Sequence, residues 1–233
     1  MALSFPLDLA EFFDGFCPIS TTFELDEAVL TNETGGGEII ASDYGTRLWT
    51  GRVTLAPVRP VGIEEIKAMI RPLQDARGSF MIHPIHKQGP ASLRALGEWF
   101  LLRGAVNARG IWIDRETAQI NSLPVNARTI TLKGLDPGFV ITRGDFLSFT
   151  YLSSPTRHAF HQAVESVAAD SSGVTGPFEV MPPIRPGAAV DAVVRLHRPQ
   201  LKARMVPGSL SISALPRRGF AEGASFEWRQ TLR

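Results

Sequence analysis

Cys17 is the only cysteine in the chain, which excludes an internal disulfide and any multi-cysteine zinc site. Beside Phe16, Pro18 and Ile19 it reads as a small apolar residue of the kind that is commonly buried. Net charge is nearly absent as well: 24 basic against 23 acidic residues leave +1 at pH 7. A protein that neutralises several phosphates of a duplex usually shows a basic excess, so composition gives nucleic-acid binding no support, although charge can be local. No apolar run approaches the roughly twenty residues of a membrane-spanning helix, so no membrane insertion is expected. The stretch Met1 to Asp8 lacks the basic flank and long apolar core of a secretory signal. The expectation is a protein made and assembled in the cytoplasm.

What the chain does have is turn chemistry. Its 21 glycines and 17 prolines point to many short strands rather than a helical bundle. An apolar content of 44% with 20% charged residues is ordinary for a soluble globular protein. The length of 233 residues is enough for one or two domains with a sizeable core.

The clearest pattern runs from Arg47 to His83. Trp49, Gly51, Val53 and Leu55 fall on one face and Arg52 and Thr54 on the other, the period of two of a half-buried strand. Pro57 and Pro60 end the ladder because proline has no N–H to donate. Ile63, Ile66, Met69, Ile70 and Leu73 then recur at helical spacing, with Glu64, Glu65, Lys67, Arg71 and Gln74 opposite. Pro72 should kink or end this helix early, Gly78 is a plausible stop, and Ser79 to His83 resumes as a strand. Laid on the sheet, the helix would bury Trp49 and the Ile/Met/Leu stripe together as the main core.

This unit, from Arg47 to Pro84, resembles the N-terminal domain of siphophage distal tail proteins: a tryptophan-bearing strand, one short helix (IEEIKAMIRPLQDARG) and then SFMIHP. The resemblance implies a ring, commonly hexameric, that joins the tail tube to the tip or baseplate of a siphovirus.

Before this unit, Ile19 to Leu25 reads as one early strand, with Ile19, Thr21, Phe23 and Leu25 on one side. Leu9 to Phe13 fits either a helical turn or an arm reaching onto a neighbour. Thr31 to Gly37 (TNETGGG) reads as a loop leading into a strand at Glu38 to Ser42. No Gly-Lys-Ser/Thr follows its glycines and no helix starts there, so the phosphate-loop reading is set aside for a turn needing positive φ. Asp43-Tyr44-Gly45 reads as the turn into Trp49. Residues 84 to 126 are hard to read. Leu93 to Leu102 fits helix or strand, Ile111 to Ile113 is a short strand, and in a ring such a segment would pack on the next subunit.

From Arg128 onward the chain predicts about six short strands: Thr129–Leu132, Phe139–Ile141, Asp145–Tyr151, His158–Val167, Phe178–Met181 and Val190–His197. Between them lie Asp136-Pro137-Gly138, Arg143-Gly144, Ser153-Ser154-Pro155, Asp170 to Gly173 and Arg185-Pro186-Gly187. Strands and turns at this spacing indicate a small sandwich or barrel. The order Gly144-Asp145, Glu165, Ala169-Asp170 with Gly173, and Pro182-Pro183-Ile184-Arg185 with Gly187 resembles a small β-barrel module inserted in phage tail-tip proteins, over about residues 128 to 206. After it, Phe226, Trp228 and Gln230 alternate in a closing strand, expected to pair with the first domain's sheet.

Candidate chemistry is sparse. His83 and His86 lack a third ligand at recognised spacing. His158 and His161 are separated by an odd number and should face opposite sides of their strand. His161 and Glu165 share a face, which a cross-sheet hydrogen bond explains as well as catalysis does. Ser153 and Ser154 with Asp145 and His158 make a nominal triad, but no Gly-x-Ser-x-Gly context surrounds the serines, and Asp145 reads as a turn residue that satisfies backbone donors. Arg195, Arg198, Arg217 and Arg218 form basic spots that would face passing DNA or pair with a neighbour's carboxylates, a solvated face being the default. The expectation is no enzyme: no catalytic, cofactor-binding or metal-binding residue, and no cofactor.

The expected architecture is mainly β. A β-sandwich-like ring-forming domain with one helix spans 1–114 and 207–233, and an inserted antiparallel β-barrel spans 115–206. The resemblance implies self-association into a homo-oligomeric ring, commonly a hexamer, with the tail tube protein and the tail hub or tip protein as partners, DNA passing through the lumen without sequence-specific binding, and residence in the virion tail. The rival expectation is a carbohydrate- or receptor-binding barrel, with Phe149, Tyr151 and Phe160 as the aromatic platform. A further rival, a cell-wall hydrolase, would depend on His161 or Glu165.

Overall fold

The computed structural model describes residues 4–16, 18–43, 45–57, 60–75, 77–87, 89–90, 118–124, 128–212 and 224–232. The fold is mainly β. In chain order it begins with β1 (Pro18–Thr21), β2 (Glu24–Leu25), β3 (Val29–Glu33), β4 (Ile39–Asp43) and β5 (Trp49–Leu55). A helix α1 (Pro60–Ile70) and the strand β6 (Phe80–Ile82) follow. Next come β7 (Ala118–Ser122), β8 (Thr129–Lys133), β9 (Val140–Ile141), β10 (Phe146–Tyr151) and β11 (Arg157–Ala163). The remainder are β12 (Val167–Ala168), β13 (Phe178–Met181), β14 (Val193–Arg195), β15 (Leu201–Met205) and β16 (Ser225–Gln230).

The chain divides into two compact units, one of Met1–Gly15, Phe80–Lys202 and Leu232–Arg233, the other of Phe16–Ser79 and Ala203–Thr231. The first contains a closed antiparallel barrel in the order β10-β11-β13-β8-β7-β14. Closure leaves no free edge within the barrel. Its interior is filled by alternate residues: Ile120, Ile130, Leu132, Leu147, Phe149, Phe178, Val180 and Val194 are all buried in one cluster. Glycine supplies the turns where L-residues are disfavoured, Gly138, Gly144, Gly173 and Gly187 all having φ between +77° and +99°. Outside the barrel, Leu9–Phe13 is a helical turn, and Phe12 packs on Phe80 with ring centroids 5.0 Å apart.

In the second unit the sheet runs β1-β5-β16-β15, with β2 also paired to β5. The closing strand lies where its alternation predicts: Phe226 opposes Val53 and Trp228 opposes Gly51 across antiparallel β16 and β5. Gln230 is buried on the same face as Phe226 and Trp228, and its Oε1 accepts from the Trp49 backbone N–H at 3.2 Å. The helix ends at Ile70, and Pro72 sits in the tight turn Arg71–Gln74 that follows. Ile66, Ile70 and Leu73 of the apolar stripe are buried.

Two local expectations change. The stretch 19–25 is two short strands, because the regular ladder is interrupted at Thr22 and Phe23, where the Thr22 hydroxyl accepts from the Arg52 N–H; Ile19 is exposed while Thr21 is buried. Thr31 to Glu33 belong to β3 rather than to a loop, and the turn is confined to Thr34–Glu38. There the Thr34 hydroxyl accepts from the Glu38 N–H at 3.1 Å and Gly37 takes φ +80°. Strands β7 and β15 were not anticipated. The readings of Cys17, Leu93–Leu102, Ile111–Ile113 and Arg217-Arg218 lie outside the described residues.

Candidate functional site

The nominal triad does not assemble. Asp145 precedes β10 and the serines follow it, and a six-residue strand spans about 20 Å. Asp145 is committed elsewhere, as a turn residue. Its Oδ2 accepts from the Thr142 N–H at 2.6 Å, and Lys87 Nζ lies 2.8 Å from its Oδ1. With Asp145 buried and Lys87 largely so, this pair holds the Gly144-Asp145 turn in place. Asp145→Ala should cost about 2–4 kcal/mol, because it leaves a half-buried N–H unpaired and an ammonium without its counter-charge. Urea unfolding checks this, and a loss below about 0.5 kcal/mol would show that the pair is not structural.

The histidines divide as parity requires. His161 points into the barrel, stacked on Phe149 at 5.5 Å, and its Nδ1 lies 2.7 Å from the Pro182 carbonyl. A carbonyl only accepts, so Nδ1 carries the proton. Burial is the main reason its pKa falls from 6.5 to about 4; the nearby Arg185 charge lowers it further, against the opposing effect of the Pro182 hydrogen bond. Glu165 is exposed, and its Oε2 accepts from the Glu179 N–H at 3.4 Å, so His161 and Glu165 have separate partners. His158 lies on the outer face, opposite Thr150.

His83 is buried at the end of β6, edge-on to Phe13 at 5.2 Å. Its Nδ1 faces the Pro84 carbonyl at 3.2 Å, and its Nε2 lies 3.1 Å from Arg198 Nη2. Arginine has only donors, so Nε2 must accept and the ring is neutral. Burial, then the Arg198 charge, lowers its pKa to about 4, although the Pro84 carbonyl and Asp14 act the other way. Asp14 pairs with Arg198, so this arginine of the basic spots is neutralised within the chain. His86 is exposed and edge-on to Phe146. Among the described residues no three His, Cys, Asp or Glu side chains are grouped to hold a metal ion.

The proposed aromatic platform is core. Phe149 and Tyr151 are 4% exposed and Phe160 is 1% exposed, because 149 and 151 point into the barrel and Phe160 stacks on Phe146 outside it. A sugar has no access to these rings.

The feature that stands out is a surface. Among the described residues, β3 and β4 pair only with each other. Leu30, Ile39 and Ile40 on this hairpin are 63%, 63% and 58% exposed. Directly opposed residues share a face, which puts Leu30 and Ile40 on one side of the ribbon and Ile39 on the other. A lone two-stranded hairpin is marginal in water, and clustered exposed aliphatic residues mark a contact surface. Motif reading missed this site because it treated the glycine triplet as a loop; the unbroken apolar run Ile39-Ile40-Ala41 next to it, which puts aliphatic residues on both faces, carried the signal.

No protein-family model matches the chain, and no curated protein matches it. Among the described residues no helix is long and apolar enough to cross a membrane.

Proposed function

We propose that the chain is a structural component of a phage tail, a distal tail protein that self-associates into a ring between the tail tube and the tip or baseplate hub. The observation that carries this reading is the β3–β4 hairpin, whose aliphatic residues gain stability only when a neighbour covers them. The resemblances over Arg47 to Pro84 and over about 128 to 206 supply the role and the number of subunits, commonly six. In this reading the work is mechanical, the neighbours are the tube and hub proteins, DNA crosses the lumen without being read, and assembly precedes residence in the virion. A closed ring also covers strand edges that would otherwise invite aggregation.

The test is the mass of the purified protein by light scattering, with negative-stain images of the same peak, alone and mixed with tail tube protein. A six-fold ring is expected in at least one of the two. A single-chain mass under both conditions overturns the reading. Leu30→Asp combined with Ile40→Asp should weaken association a hundredfold or more, since each buried aliphatic side chain contributes about 1.5–3 kcal/mol.

A further inference from the structure

A half-open pocket of about 420 Å³ lies on the outer face of the barrel, over β10, β11 and β14. Strand register builds it. Ser148 is opposite Arg195 on β14, and Thr150 is opposite His158 on β11. Opposed residues of antiparallel strands share a face, as do residues two apart on one strand. These four side chains therefore turn outward, while Leu147, Phe149 and Val194 between them fill the interior. Ser148 Oγ accepts from the Gln200 backbone N–H at 3.0 Å, which holds the segment after β14 against one side of the pocket. Val193, 48% exposed, stands in the lining and is accessible to solvent.

The chemistry of the lining is one-sided. It offers a guanidinium, an imidazole, two hydroxyls and a carboxamide, and none of the lining side chains is acidic. Lys202 brings a second permanent cation within electrostatic range: after burial, the charges of Lys202 and Arg195 are what hold the His158 pKa below its usual value. Such a field favours an anion, and guanidinium geometry matches two oxygens of one phosphate or carboxylate group.

We propose that this pocket binds an oxyanion, a phosphate group carried on a sugar-sized molecule. Arg195 supplies the charge, His158 and Thr150 supply hydrogen bonds, and Val193 meets the carrier. The volume falls in the range of about 300–1,000 Å³ typical of small-molecule sites, more room than a bare phosphate fills. This assignment stands apart from ring formation, since the lining residues belong to the barrel and to the segment that follows β14.

The test is calorimetric titration of the full-length chain with N-acetylglucosamine 1-phosphate, inorganic phosphate and N-acetylglucosamine, with the His158 ring resonances followed by NMR. The sugar phosphate should bind and shift the His158 signals, inorganic phosphate should bind about tenfold more weakly, and the neutral sugar should not bind. Equal affinity for the two phosphates would keep the oxyanion site and make free phosphate its ligand. Arg195→Gln should weaken binding about tenfold or more. Val193→Asp, at an exposed position, should do the same by repulsion while leaving the fold intact. Absence of binding by either phosphate, neutral sugar binding as well as its phosphate, or undiminished affinity in both variants overturns the proposal.

Discussion

Replacing Gly51 by alanine, a single added methyl group, should destabilise the second unit by about 3 kcal/mol or more. Gly51 sits in the central strand β5, opposite Trp228 on β16. A Cβ built there would clash with the Thr22 carbonyl oxygen, far inside van der Waals contact distance, and would lie 2.7 Å from the Thr22 carbonyl carbon and 2.9 Å from the Trp228 ring. Neither neighbour can withdraw cheaply. Thr22 is tied to β5 by its N–H donating to the Arg52 carbonyl at 2.9 Å and by its Oγ1 accepting from the Arg52 N–H at 2.8 Å. Trp228 is fully buried and packs on Phe23 at 4.7 Å. Relief therefore requires the backbone of one strand to move and give up ladder hydrogen bonds. Thermal unfolding followed by tryptophan fluorescence should show a Tm lower by about 6–12 °C. A Tm within 1–2 °C of the parent would mean that β1 and β2 do not pair with β5 as described.

Acid should unfold the first unit well before its carboxylates alone would. His83 and His161 both have folded pKa values near 4 against 6.5 for the free side chain. A depressed folded value means that the unfolded chain binds the extra proton first. The stability is fully present above pH 6.5, falls as pH drops through the window, and is gone below about 4. Within the window each histidine contributes a slope of about 1.4 kcal/mol per pH unit, or roughly 3 kcal/mol across it. For a domain whose total stability is about 5–15 kcal/mol, two such groups are a large share. Urea midpoints measured between pH 7 and 4 for the parent and for His161→Gln separate this effect from the carboxylates, which titrate alike in both. The variant's profile should be shallower by up to one proton between pH 6 and 5. Parallel profiles would show that His161 titrates normally and is not sealed in the barrel.

Much of the fold could be read locally, because strands announce themselves by a period of two. Trp49-Gly51-Val53-Leu55 and Phe226-Trp228-Gln230 each mark one buried face, and their pairing follows from both needing cover. The glycines of the barrel turns could be placed from the sequence for the same reason: Gly138, Gly144, Gly173 and Gly187 adopt backbone angles that side chains disfavour. The two strands that escaped notice differ. Ala118–Ser122 has only two apolar side chains, too few for a pattern. Leu201–Met205 alternates cleanly, with Leu201, Ala203 and Met205 buried, and its signal was available.

The candidate sites were far less legible, because contact across the fold decides them. Odd spacing alone sets His158 and His161 on opposite faces. That His161 is neutral depends on its burial in the barrel against Phe149, and its tautomer on the Pro182 carbonyl, 21 residues away. That His83 is a structural group and not a ligand depends on Arg198, 115 residues away. Composition and periodicity determined that this chain is built of short strands and one helix, since hydrophobic burial acts on each segment's own pattern. Only the tertiary structure decided that Phe149 and Tyr151 are core, that the hairpin's aliphatic residues are exposed, and that Arg195, His158 and Gln200 converge on one pocket. Barrel closure and strand register set those relations, and neither is encoded in any single stretch of sequence.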